Sequence, residues 1–125
     1  MKYSVDKQEH YSVVKVLEDN LNSQKAPDLK SEFLIMKNEG IKNLILDISD
    51  VRFIDSSGLS AILTAHRLWP DESFILTGLN NPTVKSLISV SRLDNVFTII
   101  PTVEESIAYI TMNQIGKDIL EETED

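Results

Sequence analysis

Two adjacent serines, Ser56 and Ser57, stand between Asp55 and Gly58 in the stretch DISDVRFIDSSGL, residues 47–59. Three kinds of chemistry use hydroxyls in such a setting. Either serine can cap a helix by accepting the free N–H groups of its first turn, typically worth about 1 kcal/mol. Either can act as a nucleophile beside a base. Either can accept a phosphoryl group, whose charge of about −1.5 to −2 suits the positive end of a helix dipole. The nucleophile reading is the weakest. Neither serine has glycine two positions before it, so the G-x-S-x-G elbow is absent. The histidines are His10 and His66, and at about 100° per residue His66 falls on the opposite side of the following helix from Ser57. No catalysis is therefore expected. The chain has no Gly-rich phosphate loop, so no nucleotide cofactor is expected either.

The elements that position these serines follow an α/β pattern, with apolar runs alternating with helix-period segments. Strands are expected at Tyr3 to Val5, Tyr11 to Leu17, Asn43 to Ile48, Ser73 to Thr77 and Phe97 to Ile100. A first helix is expected from about Ser23 to Glu39, because Ala26, Leu29, Phe33 and Met36 recur every three or four residues and Gly40 is a natural stop. The serine motif opens a second helix, from about Ser57 to Trp69, ended by Pro70. Asn81 followed by Pro82 starts a third, and the T-x-x-E box of Thr102 and Glu105 a fourth.

On the second helix, Leu59, Ile62, Leu63, His66 and Trp69 share the side expected to pack on the sheet. Ser57, Ala61, Thr64 and Leu68 share the other side, a smooth strip that a single layer of helices would leave open. A phosphate on Ser57 would sit at the edge of that strip, and a partner covering it would have to desolvate a dianion.

Composition narrows the classes further. With 125 residues the chain suits one domain. Zero cysteines and two distant histidines argue against disulfides and a metal site. A net charge of −8 without a basic cluster argues against direct nucleic-acid binding. No secretory leader and no run of about 18 apolar residues occurs, so membrane insertion is not expected and a cytoplasmic location is. The ending DILEETED, with five acids and no base, reads as a solvated tail.

The segment LILDISDVRFIDSSGLSAIL resembles the centre of STAS domains, most closely those of bacterial anti-sigma factor antagonists. There an apolar strand leads through (F/Y)-(I/M)-D-S-(S/A)-G-L into a helix. The flanking segments VVKVLEDNLNSQKAPDLKSEF and FILTGLNNPTVKSLISVSRLDNVFTIIPTVEESI extend the resemblance over roughly residues 3–112. It implies an α/β STAS fold with a mixed sheet of four or five strands and about four helices mainly on one face. Residues 1–112 would form the domain and 113–125 an acidic extension.

The resemblance also implies a phosphorylation-switched binding module. Ser57 would be phosphorylated by an anti-sigma factor that is itself a serine kinase of ATPase fold, and a serine phosphatase would reverse the change. The unphosphorylated form would sequester that kinase and so regulate transcription indirectly. Partner-binding residues would be Asp19, Asn22, Asp55, Ser56, Ser57, Gly58, Ala61, Thr64 and Leu68, with Asp55 and Ser56 shaping the acceptor loop. Where the family commonly reads G-x-L-D after the second strand, this chain has Asp19 and Asn22 in DNLN, and Asn22 is expected to cap the next helix. An alternative within the family is the STAS subunit that holds the ATPase of a phospholipid ABC transporter in a constitutive contact. Such subunits often lack the acceptor serine.

Overall fold

The computed structural model describes residues 1–123. Its main sheet is built from short apolar strands: β1 (Tyr3–Lys7), β2 (Ser12–Val16), β4 (Leu44–Asp47), β6 (Phe74–Thr77) and β7 (Thr98–Ile100). They lie in the order β1-β2-β4-β6-β7. The edge strand β1 is antiparallel to β2, and the remaining pairs are parallel. Every residue of β4 and β6 is buried, as expected for central strands covered on both faces.

The two-residue period of the strands divides the core in two. Val14, Val16, Leu44, Leu46, Phe74 and Leu76 face α1 (Ala26–Asn38), α2 (Ser56–Leu68) and α3 (Pro82–Val90). Val13, Ile45 and Ile75 face the other way and meet Ile107 and Ile110 of α4 (Val103–Thr123). The fold is thus α/β with a mixed five-stranded sheet and three of its four helices on one face. On α1 the buried residues are the expected Ala26, Leu29, Phe33 and Met36. The ring of Phe33 meets Trp69 edge-on at 6.1 Å, and the Trp69 indole donates to the Ile41 carbonyl at 2.8 Å.

Two of the expected helix starts are formed by the expected side chains. Asn81 Oδ1 accepts from Thr83 and Val84 N–H at 2.9 and 3.3 Å, and Thr102 Oγ1 accepts from Glu105 N–H at 3.1 Å. The first helix differs. It begins at Ala26, not Ser23, and its N-cap Lys25 makes no side-chain cap. Asn22 does not cap it: its Oδ1 accepts from Gln24 N–H at 3.1 Å, and its carbonyl accepts from Lys25 and Ala26. The asparagine is spent on a turn before the helix.

No break occurs at residue 113. Helix α4 continues through it, and Asn113 Nδ2 donates to Glu72 Oε2 at 3.3 Å, so the expected boundary after residue 112 falls inside a helix. Glu124 and Asp125 of the acidic ending lie outside the described residues. Among the described residues no helix is long and apolar enough to cross a membrane.

Phe33 is fully buried whereas its neighbour Leu34 is 51% exposed, so the two should respond differently to truncation. Phe33→Ala is expected to cost about 3–5 kcal/mol through lost burial and a cavity. Leu34→Ala should stay within about 1 kcal/mol. Urea unfolding of the two variants measures the difference.

Candidate functional site

The serine motif is positioned by a second, two-stranded sheet that the hydrophobic pattern did not announce. Strand β3 (Asn20–Leu21) pairs in parallel with β5 (Phe53–Ile54). The Asp19 carbonyl accepts from Arg52 and Phe53 N–H at 2.7 and 3.0 Å, and the Leu21 carbonyl accepts from Asp55 N–H at 3.3 Å. Two residues per strand are too few to show a period. Yet this pairing sets the Asp19 to Asn22 loop beside the first turn of α2.

Asp55 joins the two pieces. It is the N-cap of α2, with extended backbone at φ −100° and ψ −173°. Its Oδ1 accepts from Gly58 N–H at 3.0 Å and its Oδ2 from Ser23 N–H at 3.1 Å. The cap is therefore the aspartate, not a serine. Ser56 and Ser57 fall inside the first turn, where their N–H groups have no carbonyl within the helix to reach. Leu59 N–H makes the first helical bond, to Asp55 O at 3.0 Å. Ser56 is exposed and Ser57 half-buried, and among the described residues no hydrogen bond is made by either hydroxyl. Negative charge is favoured at this end of the helix.

Gly58 is buried against β3. A Cβ there would meet the Leu21 carbonyl oxygen head-on and lie 2.8 Å from Ile54 Cγ2. The glycine is demanded by close approach of helix and strand.

The expected open strip on α2 is not open. Ala61 is fully buried, and Leu68 and Thr64 are half-buried, with Leu68 packed on the core and Thr64 Oγ1 donating to Ser60 O at 3.0 Å. The cause is α1, which packs along this side of α2 and places Lys30 Nζ 2.9 Å from Ser60 Oγ. Of the expected binding residues, Asp19, Asn22, Asp55, Ser56, Ser57 and Gly58 are brought together at one end. Ala61 offers no surface, and Thr64 and Leu68 lie further along the α1–α2 seam.

What lies open beside the motif is different. Phe53 is 63% exposed and Val90 78% exposed. With Ile54, Pro82, Thr83, Ser86 and Leu87 they line a shallow groove of about 590 Å³ between β5 and α3. This places exposed aromatic and aliphatic surface next to the serine motif. Sequence reasoning missed Phe53 and Val90, because an apolar residue in an apolar stretch reads as core until its neighbours are placed.

A family-level match covers residues 3–106, to the STAS domain. The chain belongs to the STAS domain family. Solved structures share the fold at low identity. An anti-sigma factor antagonist from Mycobacterium paratuberculosis superposes with a TM-score of 0.77 and 22% identity, over 88% of this chain and 93% of that one. The anti-sigma factor antagonist SpoIIAA in its unphosphorylated form gives 0.73 and 18%, over 88% and 96%. The phosphorylated form of SpoIIAA, a cell fate determinant of Bacillus, gives 0.66 and 18%, over 87% and 99%.

The remaining candidates for chemistry are dispersed in this STAS domain. His66 packs edge-on against Phe74 and Phe97, at 6.4 and 5.7 Å, with Nδ1 buried and unbonded. His10 lies in the β1–β2 turn, at the opposite end of the parallel strands from Ser57. Among the described residues no group of three or more His, Cys, Asp or Glu side chains is arranged to hold a metal. The loop entering β3 is anchored by Glu18, which accepts from the Lys2 N–H and the Lys25 ammonium, each at 3.0 Å. These two contacts, the backbone one first, hold its carboxyl below the ordinary value of 4.5.

Two predictions follow from this geometry. Gly58→Ala should destabilise by about 1–3 kcal/mol through overpacking, although alanine ordinarily stabilises a helix. Gly116→Ala on α4, where a Cβ meets nothing within 4 Å, should instead stabilise by about 0.5–1 kcal/mol; thermal melts of both variants provide the check. For Glu18 the lowered folded pKa means its contribution is present above the ordinary carboxylate value and is lost as pH falls through the lower folded one. Glu18→Gln should therefore melt lower than the parent at neutral pH and converge with it in acid.

Proposed function

We propose that this STAS protein is an anti-sigma factor antagonist, a binding module without catalysis of its own, switched by phosphorylation of Ser57. The observation that carries the reading is the unengaged, half-buried Ser57 hydroxyl in the first turn of α2, with Asp55 already supplying the cap. A structural serine would be expected to hold that cap itself. The fold shared with SpoIIAA, solved in both phosphorylated and unphosphorylated forms, supports the same reading.

In this proposal the partner is an anti-sigma factor that is also a serine kinase of ATPase fold. It docks across the Asp19 to Asn22 loop, the first turn of α2 and the Phe53–Val90 groove. The kinase transfers the γ-phosphoryl group of ATP to Ser57 Oγ: the new O–P bond forms, the bond to the ADP leaving oxygen breaks, and the hydroxyl proton passes to a base on the kinase. The dianion then sits at the centre of the contact, where covering it would strip its water, and the complex separates. A serine phosphatase returns the hydroxyl by hydrolysis. The rival reading, a constitutive partner of a phospholipid transporter ATPase, has no use for a free hydroxyl in this turn.

Paired baits carrying Ser57→Ala and Ser57→Asp, exposed to the native cell extract, test the reading by mass spectrometry of what they hold. The Ala bait is expected to retain a small ATPase-fold serine kinase and the Asp bait to lose it, while the two variants melt within a few degrees of each other. Phosphate mapped to Ser57 in the native protein would accompany this. Equal capture by both baits, or transporter subunits on both, would falsify the switch. With the kinase in hand, Val90→Glu is expected to weaken binding at least tenfold without lowering the melting temperature, read by calorimetry.

A further inference from the structure

Helices α1 and α2 run side by side in the same direction. Their starts are tied by Asp55 Oδ2 and Ser23 N–H, and one turn further on by Lys30 Nζ and Ser60 Oγ. On α2, Ser57 lies between Ser60 and Ala61 around the helix circumference, at about 100° per residue. Ala61 is fully buried and Ser60 is bonded to α1. The side chain of Ser57 therefore leaves α2 on the side that faces α1.

Lys30 is half-buried in this seam, and its ammonium rests on a neutral hydroxyl. Among the described residues no carboxylate lies within ion-pair distance of it, in a chain with 20 acids and 12 bases. Among the described residues Asp19 and Arg52, in the strand pair beside the first turn of α2, also make no ion pair; other charges near this end are engaged. Lys25 is paired with Glu18 at 3.0 Å, Asp28 meets the chain's amino terminus at 3.4 Å, and both Asp55 oxygens hold backbone N–H groups. Helical side chains lean toward the N-terminus, and Ser57 lies on the N-terminal side of Ser60, where the Lys30 ammonium rests. From Ser60 to Ser57 the displacement along the axis is three residues, about 4.5 Å, within the swing of a flexible lysine stem.

We propose that Lys30 is the intramolecular phosphate ligand of the switch: on phosphorylation of Ser57 its ammonium leaves Ser60 Oγ and pairs with the phosphate, holding it in the α1–α2 seam over the first turn of α2. The inference rests on Ser57 being the acceptor. It makes the modified state an ordered one, in which a charge-assisted contact fixes the dianion where the partner would land.

The test uses the full chain with phosphoserine encoded at position 57 during translation, so that it does not depend on the cell's own kinase. The second ionisation of the phosphate is followed by ³¹P NMR across pH. In the parent it is expected below the ordinary value of about 6, and Lys30→Gln should move it up by about half a unit or more. Lys30→Arg should keep it low, since either cation favours the dianion. Lys42→Gln, at the opposite end of the parallel strands, should move it by less than a third as much. Equal shifts for Lys30→Gln and Lys42→Gln, or none for Lys30→Gln, would overturn the assignment of Lys30. Failure to find phosphate on native Ser57 would instead overturn the reading on which it rests.

Discussion

The Asp55 carboxylate is the contact on which the site depends. One oxygen caps α2 and the other holds the turn before α1, so a single side chain ties the start of α2 to the segment that leads into α1. Each carboxylate oxygen accepts from one backbone N–H, each bond contributing more than a neutral one because the acceptor is charged. The consequence for chemistry is indirect. With the cap supplied by Asp55, the two serines that follow are released from structural duty. Gly58 extends the same constraint, because only a residue without a Cβ lets the first turn of α2 lie against the Leu21 carbonyl.

The contacts at this point suit the proposed switch, which would work by charge rather than by refolding. The first turn of α2 is clamped to β3, β5 and the turn before α1, and behind it stands a sheet whose central strands are buried throughout. The proposed phosphate would change the charge of the surface where it stands. The neighbouring groove with Phe53 and Val90 would, in the proposed complex, supply the apolar area that a charged loop alone lacks. In the proposed reading, binding and its cancellation would be separated physically, with the hydrophobic effect giving attraction beside the serine and desolvation of a dianion opposing it at the serine.

A match to the STAS domain over residues 3–106 establishes the fold family, while similarity of 18–22% to solved antagonists bears on fold alone. What supports the proposed switch is the local chemistry of a hydroxyl without a hydrogen bond among the described residues, set at the positive end of a helix and beside exposed apolar surface.

By itself the sequence determined the elements whose signals are local. The central strands announced themselves as short apolar runs, α1 by its Ala26, Leu29, Phe33, Met36 period, and the starts of α3 and α4 by Asn81 and Thr102, because each signal needs only residues within one turn or one strand. The D-S-S-G-L motif likewise located the candidate acceptor. Tertiary structure decided the rest. Which of Asp55, Ser56 and Ser57 caps the helix depended on a backbone angle set by the β3–β5 pairing, and those strands are too short to carry a pattern. Whether Ala61 faced solvent or α1, and whether Phe53 and Val90 were core or surface, depended on which element packs beside which. Helical periodicity assigns residues to faces; only the assembled neighbours decide which faces are covered.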